Sequence, residues 1–347
     1  ADGSGGRLLA RGLRNAEGLA FLPGGDLWAV VNNRDNIAYP FHNDWNGDGS
    51  DDYGKVLQSY VDNHPPEEFT RVRDGGNYGW PFCNPNPDTA AGLNAMPFDR
   101  DVQFNADGRV DCGAMDRIDK GIQAHSAPLG LSFLQGSNFP GQYRSGAVTA
   151  LHGSWNRATL TGYKVAYFPW DGAAGAPGAQ QDLVSGWLNG STRWGRPVDA
   201  VVDQQGALLI SDDYSGTIYR LTYAQAVTGF TLIDADTDQP ISGFNPIPSG
   251  ATLNLATLPS RRLNIRANTA GPIGSVRFAY DATWSYKIEN HKPYALAGDA
   301  NDGADYLPWT PAVGSHTLAA MPYAAINAGG SSGAGTTIVF TVIDRAP

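Results

Sequence analysis

Short apolar runs broken by glycine-rich turns dominate the first two thirds of the chain, with few helical runs among them. Gly18-Leu-Ala-Phe21, a Pro-Gly-Gly turn and Asp26-Leu-Trp-Ala-Val-Val31 read as one hairpin. Val198-Asp-Ala-Val-Val202, an Asp-Gln-Gln-Gly turn and Ala207-Leu-Leu-Ile-Ser211 repeat it, and Gly216-Thr-Ile-Tyr-Arg-Leu-Thr222 adds a further strand. Leu129-Gly-Leu-Ser-Phe133 and Gly146-Ala-Val-Thr-Ala-Leu151 form a looser copy. Repeated strand–turn–strand units without intervening helices predict propeller blades more readily than a single β-sandwich. From about Ala224 the rhythm changes. Strands centred on Val227–Asp234, Thr252–Leu255, Leu263–Arg266, Ser275–Tyr280, His316–Ala320 and Thr336–Ile343 predict a separate Ig-like β-sandwich over 225–347. The Gly/Ser stretch Ala328–Gly335 reads as a hairpin loop, because a strong strand follows at once.

Composition agrees with an all-β reading. The 347 residues include 43 Gly and 23 Pro, with 17% charged and 41% hydrophobic residues, which marks a folded chain rather than a disordered one. The net charge of -10 and the lack of Lys/Arg runs argue against nucleic acid as a partner. No apolar stretch approaches the length of a membrane span. No signal peptide is seen, although a mature chain has already lost one.

Two cysteines, Cys83 and Cys112, bracket a polar, proline-rich loop. They suggest a disulfide formed in an oxidising compartment, the alternative being two buried thiols.

The sharpest chemical signal is Asp44-Trp-Asn46-Gly-Asp48-Gly-Ser50-Asp-Asp52. Oxygen donors recur at alternate positions with glycines where the loop must turn, which suits a hard cation such as Ca²⁺. Asp44, Asn46, Asp48 and Asp52 offer side chains, and Ser50 offers its carbonyl. The twelfth position is Lys55, so the bidentate glutamate of an EF-hand is missing. The alternative is an acidic, glycine-rich turn that binds nothing.

Six stretches in order carry a resemblance. They are Gly12-Leu-Arg14-Asn15-Ala-Glu-Gly-Leu-Ala-Phe21, Asn63-His-Pro-Pro-Glu-Glu-Phe-Thr-Arg-Val-Arg73, Gly75-Gly-Asn-Tyr-Gly-Trp-Pro81, Ala124-His125-Ser-Ala-Pro128-Leu-Gly130, Leu151-His-Gly-Ser-Trp155-Asn156-Arg157 and Trp194-Gly-Arg196-Pro197. Over Gly12–Tyr223 the chain resembles the soluble glucose/sorbosone-type sugar dehydrogenases that use pyrroloquinoline quinone (PQQ).

That resemblance implies part of a six-bladed β-propeller, about four blades over 1–224, with the cofactor at one end of its axis. It places Arg14 and Asn15 at the quinone end, Arg157 and Arg196 near the cofactor carboxylates, and His125 close by. Arginine suits bidentate carboxylate recognition. The resemblance also implies a Ca²⁺ bridged to PQQ by the backbone carbonyls of Asn33 and Arg34. The bland readings are surface ion pairs for the arginines, a structural role for His125, and packing roles for Trp80, Trp155 and Trp194. His152 ranks below His125, and His42 and His64 read as loop residues.

The resemblance breaks at the catalytic base, since no residue matches the family histidine carried on an early blade. The match begins in mid-propeller, and an open propeller leaves raw sheet edges. The expectation is therefore a longer protein, or a partner segment, supplying the remaining N-terminal blades. In that setting the enzyme oxidises an aldose or sugar aldehyde in the periplasm or outside the cell and passes electrons to a periplasmic acceptor. The competing expectation is a non-catalytic propeller with an Ig-like module that binds a glycan or an envelope partner.

Overall fold

The computed structural model describes residues 5–300, 303 and 305–346. The chain divides into two compact units, Ala1–Thr222 and Tyr223–Pro347.

Among the described residues the first unit has three larger antiparallel sheets, of five, four and three strands, and three two-stranded ribbons. The first runs in the order Asn15–Phe21, Leu27–Asn32, Glu67–Arg71, Ile118–Ile122, Asn94–Met96. The second is a meander of Pro128–Phe133, Ala147–Leu151, Lys164–Phe168 and Gln181–Val184. The third is a meander of Pro197–Val202, Leu208–Asp212 and Thr217–Leu221. The hairpins expected from Gly18–Val31 and Val198–Ser211 are present in register, with Leu19 opposite Ala29 and Ala200 opposite Ile210. The strand-rich sequence thus forms blade-like sheets, as expected for propeller-type architecture. Much of the remaining length lies in two long connections, 33–66 and 72–117, the second of which carries the edge strand Asn94–Met96 and the ribbon of Cys83–Pro85 with Phe98–Arg100.

The blades stack through apolar faces. Trp28, Val30 and Phe69 of the first sheet share a core with Leu131, Ala147 and Phe168 of the second. Phe69 and Phe168 meet edge to face, with ring centres 5.2 Å apart. Val148, Val165 and Tyr167 of the second sheet pack in turn on Ala200, Leu208 and Ile210 of the third. The first strands of adjacent sheets approach closely, and two glycines allow it. A Cβ on Gly18 would lie 2.5 Å from the Leu129 carbonyl oxygen, and one on Gly130 would lie 2.0 Å from the Asp199 carboxylate. The recurring glycine in Gly18-Leu-Ala-Phe and Gly130-Leu-Ser-Phe is therefore a packing requirement where inner strands crowd together.

The connection 72–117 is closed by the Cys83–Cys112 disulfide, whose bond length is 2.04 Å. It lies in a small core with Tyr78, Met96, Phe98 and Ile118. Among the described residues no helix is long and apolar enough to cross a membrane.

The second unit has a three-stranded sheet of Gln239–Pro240, Ala226–Asp234 and Leu263–Ala270. It also has a six-stranded sheet, in the order Ala251–Asn254, Thr336–Ile343, Gly314–Ala325, Ser275–Tyr280, Thr283–Glu289, with Gly329–Ser332 paired onto Gly314–Ala325. Phe230 and Leu232 from the first sheet and Phe278, Leu318 and Phe340 from the second belong to one buried cluster. The Gly/Ser stretch expected as a hairpin loop is itself partly a strand, turning back on Gly314–Ala325 through Tyr323 and Ser332.

Candidate functional site

The residues ahead of the first strand of each sheet in the first unit are joined by one chain of hydrogen bonds. Arg14 donates to the carbonyls of Asn32 and Asn33, at 3.1 and 2.6 Å. The Asn33 N–H donates to Glu67 Oε2 at 2.5 Å, and the Ala127 N–H reaches Glu67 Oε1 at 3.3 Å. The His152 N–H donates to the Ala127 carbonyl at 2.9 Å. Arg196 closes the series, giving its Nε to the His152 carbonyl at 3.1 Å and an Nη to that of Gly153 at 2.7 Å. Three sheets are thus tied at one rim, from Arg14 to Arg196.

Two carboxylates at the centre of this series were not singled out in the sequence. Glu67 and Glu68 are both buried. Glu67 bridges the first and second sheets. Glu68 accepts from the Asn33 side chain at 3.0 Å, and the same Asn33 amide also donates to the Pro66 carbonyl at 2.7 Å. The backbone N–H, carbonyl and side-chain amide nitrogen of Asn33 are therefore each fixed by a neighbour. Burial pushes Glu67 up to about 8, against the Asn33 and Ala127 N–H groups, which favour the carboxylate. Burial also pushes Glu68 up to about 8, opposed by the Asn33 amide and reinforced by the charge of Glu67. Glu68 Oε2 has no hydrogen-bond partner among the described residues. Both lie on the strand Glu67–Arg71, on its opposite faces, and both faces are covered there.

The expected cofactor residues divide clearly. Arg14, Arg157 and Arg196 are half-buried and donate to backbone carbonyls. None of the three has a carboxylate partner among the described residues, unlike Arg34, Arg71, Arg73 or Arg220. Arg157 reaches the Asp62 carbonyl and, at 3.3 Å, the Ala124 carbonyl. Burial lowers its pKa, and the charge of Asp62 opposes that shift. The guanidinium of Arg14 lies 5.6 Å from the Trp80 ring centre, and that of Arg196 lies 5.7 Å from the Tyr163 ring. Asn15 opens the first strand, opposite Asn32, and is exposed. His125 is buried and its Nε2 donates to the Val61 carbonyl at 2.6 Å, an arrangement that suits a structural histidine. Its pKa is lowered by burial, although the Val61 carbonyl opposes the shift. His125 and Ala127 have φ of 65° and 53°, a left-handed conformation uncommon without glycine, so this corner is held against its own backbone preference.

Arg34 differs from the other arginines. It pairs with the buried Asp101 at 2.8 Å and lies over Phe104, so its side chain is committed while its carbonyl is the expected ligand. The acidic loop is wound around its own amides. Asp44 accepts from Gly47, Asp48 and Gly49, Asp48 accepts from Ser50, and Asp52 accepts from Trp45 and Asn46. The Lys55 ammonium sits 2.7 Å from Ser50 Oγ and 2.9 Å from Asp52 Oδ1, so a cation already faces these donors. Asn46 Oδ1 accepts from the Asp48 N–H at 2.9 Å.

Two aromatic residues read as packing are open to solvent. Trp155 is 66% exposed and Trp194 is 50% exposed. Trp80 is half-buried. His64, read as a loop residue, is buried and stacked on Tyr60 at 3.9 Å.

Residues 2–224 match the TrAA12-like family model, and the chain belongs to that family. The pyrroloquinoline quinone-dependent pyranose dehydrogenase of Coprinopsis cinerea is 29% identical over 244 residues, which cover 62% of this chain and 31% of that protein. An uncharacterized protein of Borreliella burgdorferi is 37% identical over 103 residues, 29% of this chain and 27% of its own length. Among solved structures, Trichoderma reesei Carbohydrate-Active Enzymes Family AA12 aligns with 24% identity and a TM-score of 0.46, covering 62% of this chain and 54% of that one. The chain spans less than a third of the length of these curated relatives.

Removing the central bridge is expected to be costly. Glu67→Ala leaves two N–H groups without their acceptor, at about 1–3 kcal/mol each when buried. Urea denaturation should show a loss of about 2–6 kcal/mol by the same reasoning. The raised carboxyls also set a pH dependence. Their folded pKa of about 8 lies above the unfolded value of roughly 4.3, so their stabilising contribution is full below the unfolded value and is lost as pH rises through about 8. Melting temperatures in EDTA should therefore fall between pH 5 and 9, and Glu68→Gln should flatten that slope.

Proposed function

We propose that the first unit is part of a PQQ-dependent oxidoreductase that acts on a pyranose or another aldose. The observation that carries this reading is the set Arg14, Arg157 and Arg196. These are three half-buried guanidinium groups without carboxylate partners among the described residues, in a member of the TrAA12-like family; Arg14 and Arg196 sit at the two ends of the hydrogen-bonded rim, and Arg157 is held apart from it on the Asp62 and Ala124 carbonyls. An unpaired, partly desolvated cation favours an anionic ligand, and PQQ carries three carboxylates. Asn156 Oδ1, beside Arg157, is buried without a donor among the described residues, a second sign that the surroundings of Arg157 are built for a polar group. The curated relative named for PQQ and pyranose supports the same assignment.

In this reading Arg157 and Arg196 receive the cofactor carboxylates, while Arg14 and Asn15 stand at the quinone end. PQQ, when bound, supplies an ortho-quinone that accepts hydride from the sugar carbon. Arg14 stabilises negative charge that develops on oxygen there. The Asn33 clamp holds Arg14 in register; a Ca²⁺ would draw on the Arg34 carbonyl and would have to share the Asn33 carbonyl with the Arg14 guanidinium, which sits 2.6 Å from it. Trp155, exposed next to Arg157, offers a face to the substrate ring. The base that takes the hydroxyl proton is assigned to no residue. The Nε2 of His125 is committed to Val61, and that of His152 to Asp213 at 2.9 Å. Further propeller blades complete the site. Leu19 and Phe21 on the first strand are 56% and 69% exposed, and Val201 and Ile218 of the third sheet are 42% and 72% exposed, apolar rows that neighbouring blades would cover. The disulfide favours an oxidising compartment, periplasmic or extracellular, with an electron acceptor there. The Asp44–Asp52 loop is proposed to take a structural Ca²⁺, with Lys55 swinging away from Asp52.

With PQQ, Ca²⁺ and an artificial electron acceptor, the 347-residue chain alone should oxidise aldoses weakly or not at all. A longer protein with additional blades should be active, and Arg196→Ala should weaken its PQQ affinity about tenfold or more, the scale of a lost charge-assisted hydrogen bond. Strong turnover by the shorter chain would contradict the need for further blades. For the loop, chelation should lower the melting temperature, and Asp48→Ala should remove that sensitivity. An unchanged melting temperature on chelation would assign the loop centre to the Lys55 ammonium instead.

A further inference from the structure

The outer face of the six-stranded sheet in the second unit carries an arrangement with no part in the site above. Along Ser275–Tyr280, Phe278 turns into the core, while Arg277 and Ala279 lie outward. Ala279 pairs across the ladder with Ala319, and Arg277 pairs with Met321. The Arg277 guanidinium carbon sits 3.5 Å from the centre of the Trp284 ring and 5.1 Å from that of Tyr323. It makes no hydrogen bond or ion pair with any described residue. Trp284 nevertheless remains 67% exposed. Beside it opens a cavity of about 220 Å³, lined by Arg277, Trp284, Ala279, Ala319, Met321 and Thr337.

Each feature has a physical reading. An exposed tryptophan held against a guanidinium has lost freedom before any ligand arrives, so less ordering cost remains on binding. The guanidinium lies over one face of the indole and leaves the rest of the ring to solvent, and the two alanines keep the neighbouring sheet surface low. A guanidinium without acceptors among the described residues presents fixed donors at the rim of the indole it covers. The open indole face matches a pyranose, whose axial C–H groups stack on an aromatic ring, and the donors on the covered side match a hydroxyl or carboxylate of the adjoining unit of the same glycan chain.

We propose that this cleft binds a pyranose unit of a polysaccharide, with Trp284 as the stacking platform and Arg277 as the donor. The site lies wholly within the second unit and does not depend on the dehydrogenase reading. The bound ring belongs either to a neutral glycan, a hydroxyl of the adjoining unit accepting from Arg277, or to a polyuronate, a carboxylate of that unit doing so.

The test uses the full chain in pull-down assays on microcrystalline cellulose, chitin and insoluble polygalacturonate, with fluorescence titration by the matching soluble oligosaccharides. Retention on at least one polymer is expected, with quenching of tryptophan emission. Trp284→Ala should weaken that binding at least tenfold while leaving the melting temperature unchanged, since the side chain is mostly exposed. Arg277→Met keeps the stem and removes the donors. It should weaken a neutral glycan about threefold and abolish binding of a polyuronate. Failure of the wild-type chain to bind any of the three polymers would overturn the proposal, and so would binding that survives Trp284→Ala.

Discussion

A buried carboxylate between two blades holds the rim of the first unit together. Sheets stacked through apolar faces fix their separation but leave the ends of their strands free to shift. Glu67 removes that freedom. One of its oxygens takes the N–H of Asn33, where the first sheet ends a strand, and the other takes the N–H of Ala127, where the second sheet begins. Backbone N–H groups at strand ends need acceptors when buried, and here one side chain serves two sheets. Two of the arginines expected to touch a cofactor, Arg14 and Arg196, are attached to that bridge within a few bonds, while Arg157 is held on the Asp62 and Ala124 carbonyls. Arg14 hangs on the Asn33 carbonyl, Arg196 hangs on the His152 carbonyl, and the His152 N–H hangs on Ala127.

The arginines gain their chemistry from this arrangement rather than from neighbouring charges. A guanidinium paired with a carboxylate is already neutralised. Arg14, Arg157 and Arg196 are instead oriented by neutral carbonyls, so their charge is left for a ligand. Arg34, a few residues from Arg14 in space, shows the contrast, because the buried Asp101 consumes its charge. The same logic separates the second unit's Arg277, which is fixed by aromatic rings and left without an acceptor, from Arg261, which is paired with Asp344 at 2.6 Å.

Much of this was legible in the sequence, and the reasons differ by element. The hairpins were visible because strand period and Gly-rich turns are local properties, and Leu27–Asn32 and Leu208–Asp212 fall where those patterns put them. Arg14, Arg157 and Arg196 were legible only through resemblance, since an arginine at a strand end is ordinarily a surface ion pair. Glu67 and Glu68 escaped notice because their role depends on burial, which a Pro-Pro-Glu-Glu run does not advertise. Trp155 and Trp194 were read as packing, yet tryptophan is apolar enough for a core and amphipathic enough for a surface, and sequence alone does not separate the two. Lys55 was noted as the wrong residue for an EF-hand. Only the fold shows its ammonium turned back on Ser50 and Asp52.

The claim on which the account rests is that Glu67 holds the Asn33 and Ala127 amides in place. Native-state hydrogen exchange reads those two amides directly. In the wild-type chain both should be strongly protected, and Glu67→Ala should release both together, with the exchange of core amides such as Val30 and Ala166 following only the global loss of stability. Protection of Asn33 and Ala127 that persists in the variant would contradict the bridge and detach the arginine rim from the fold that is said to hold it.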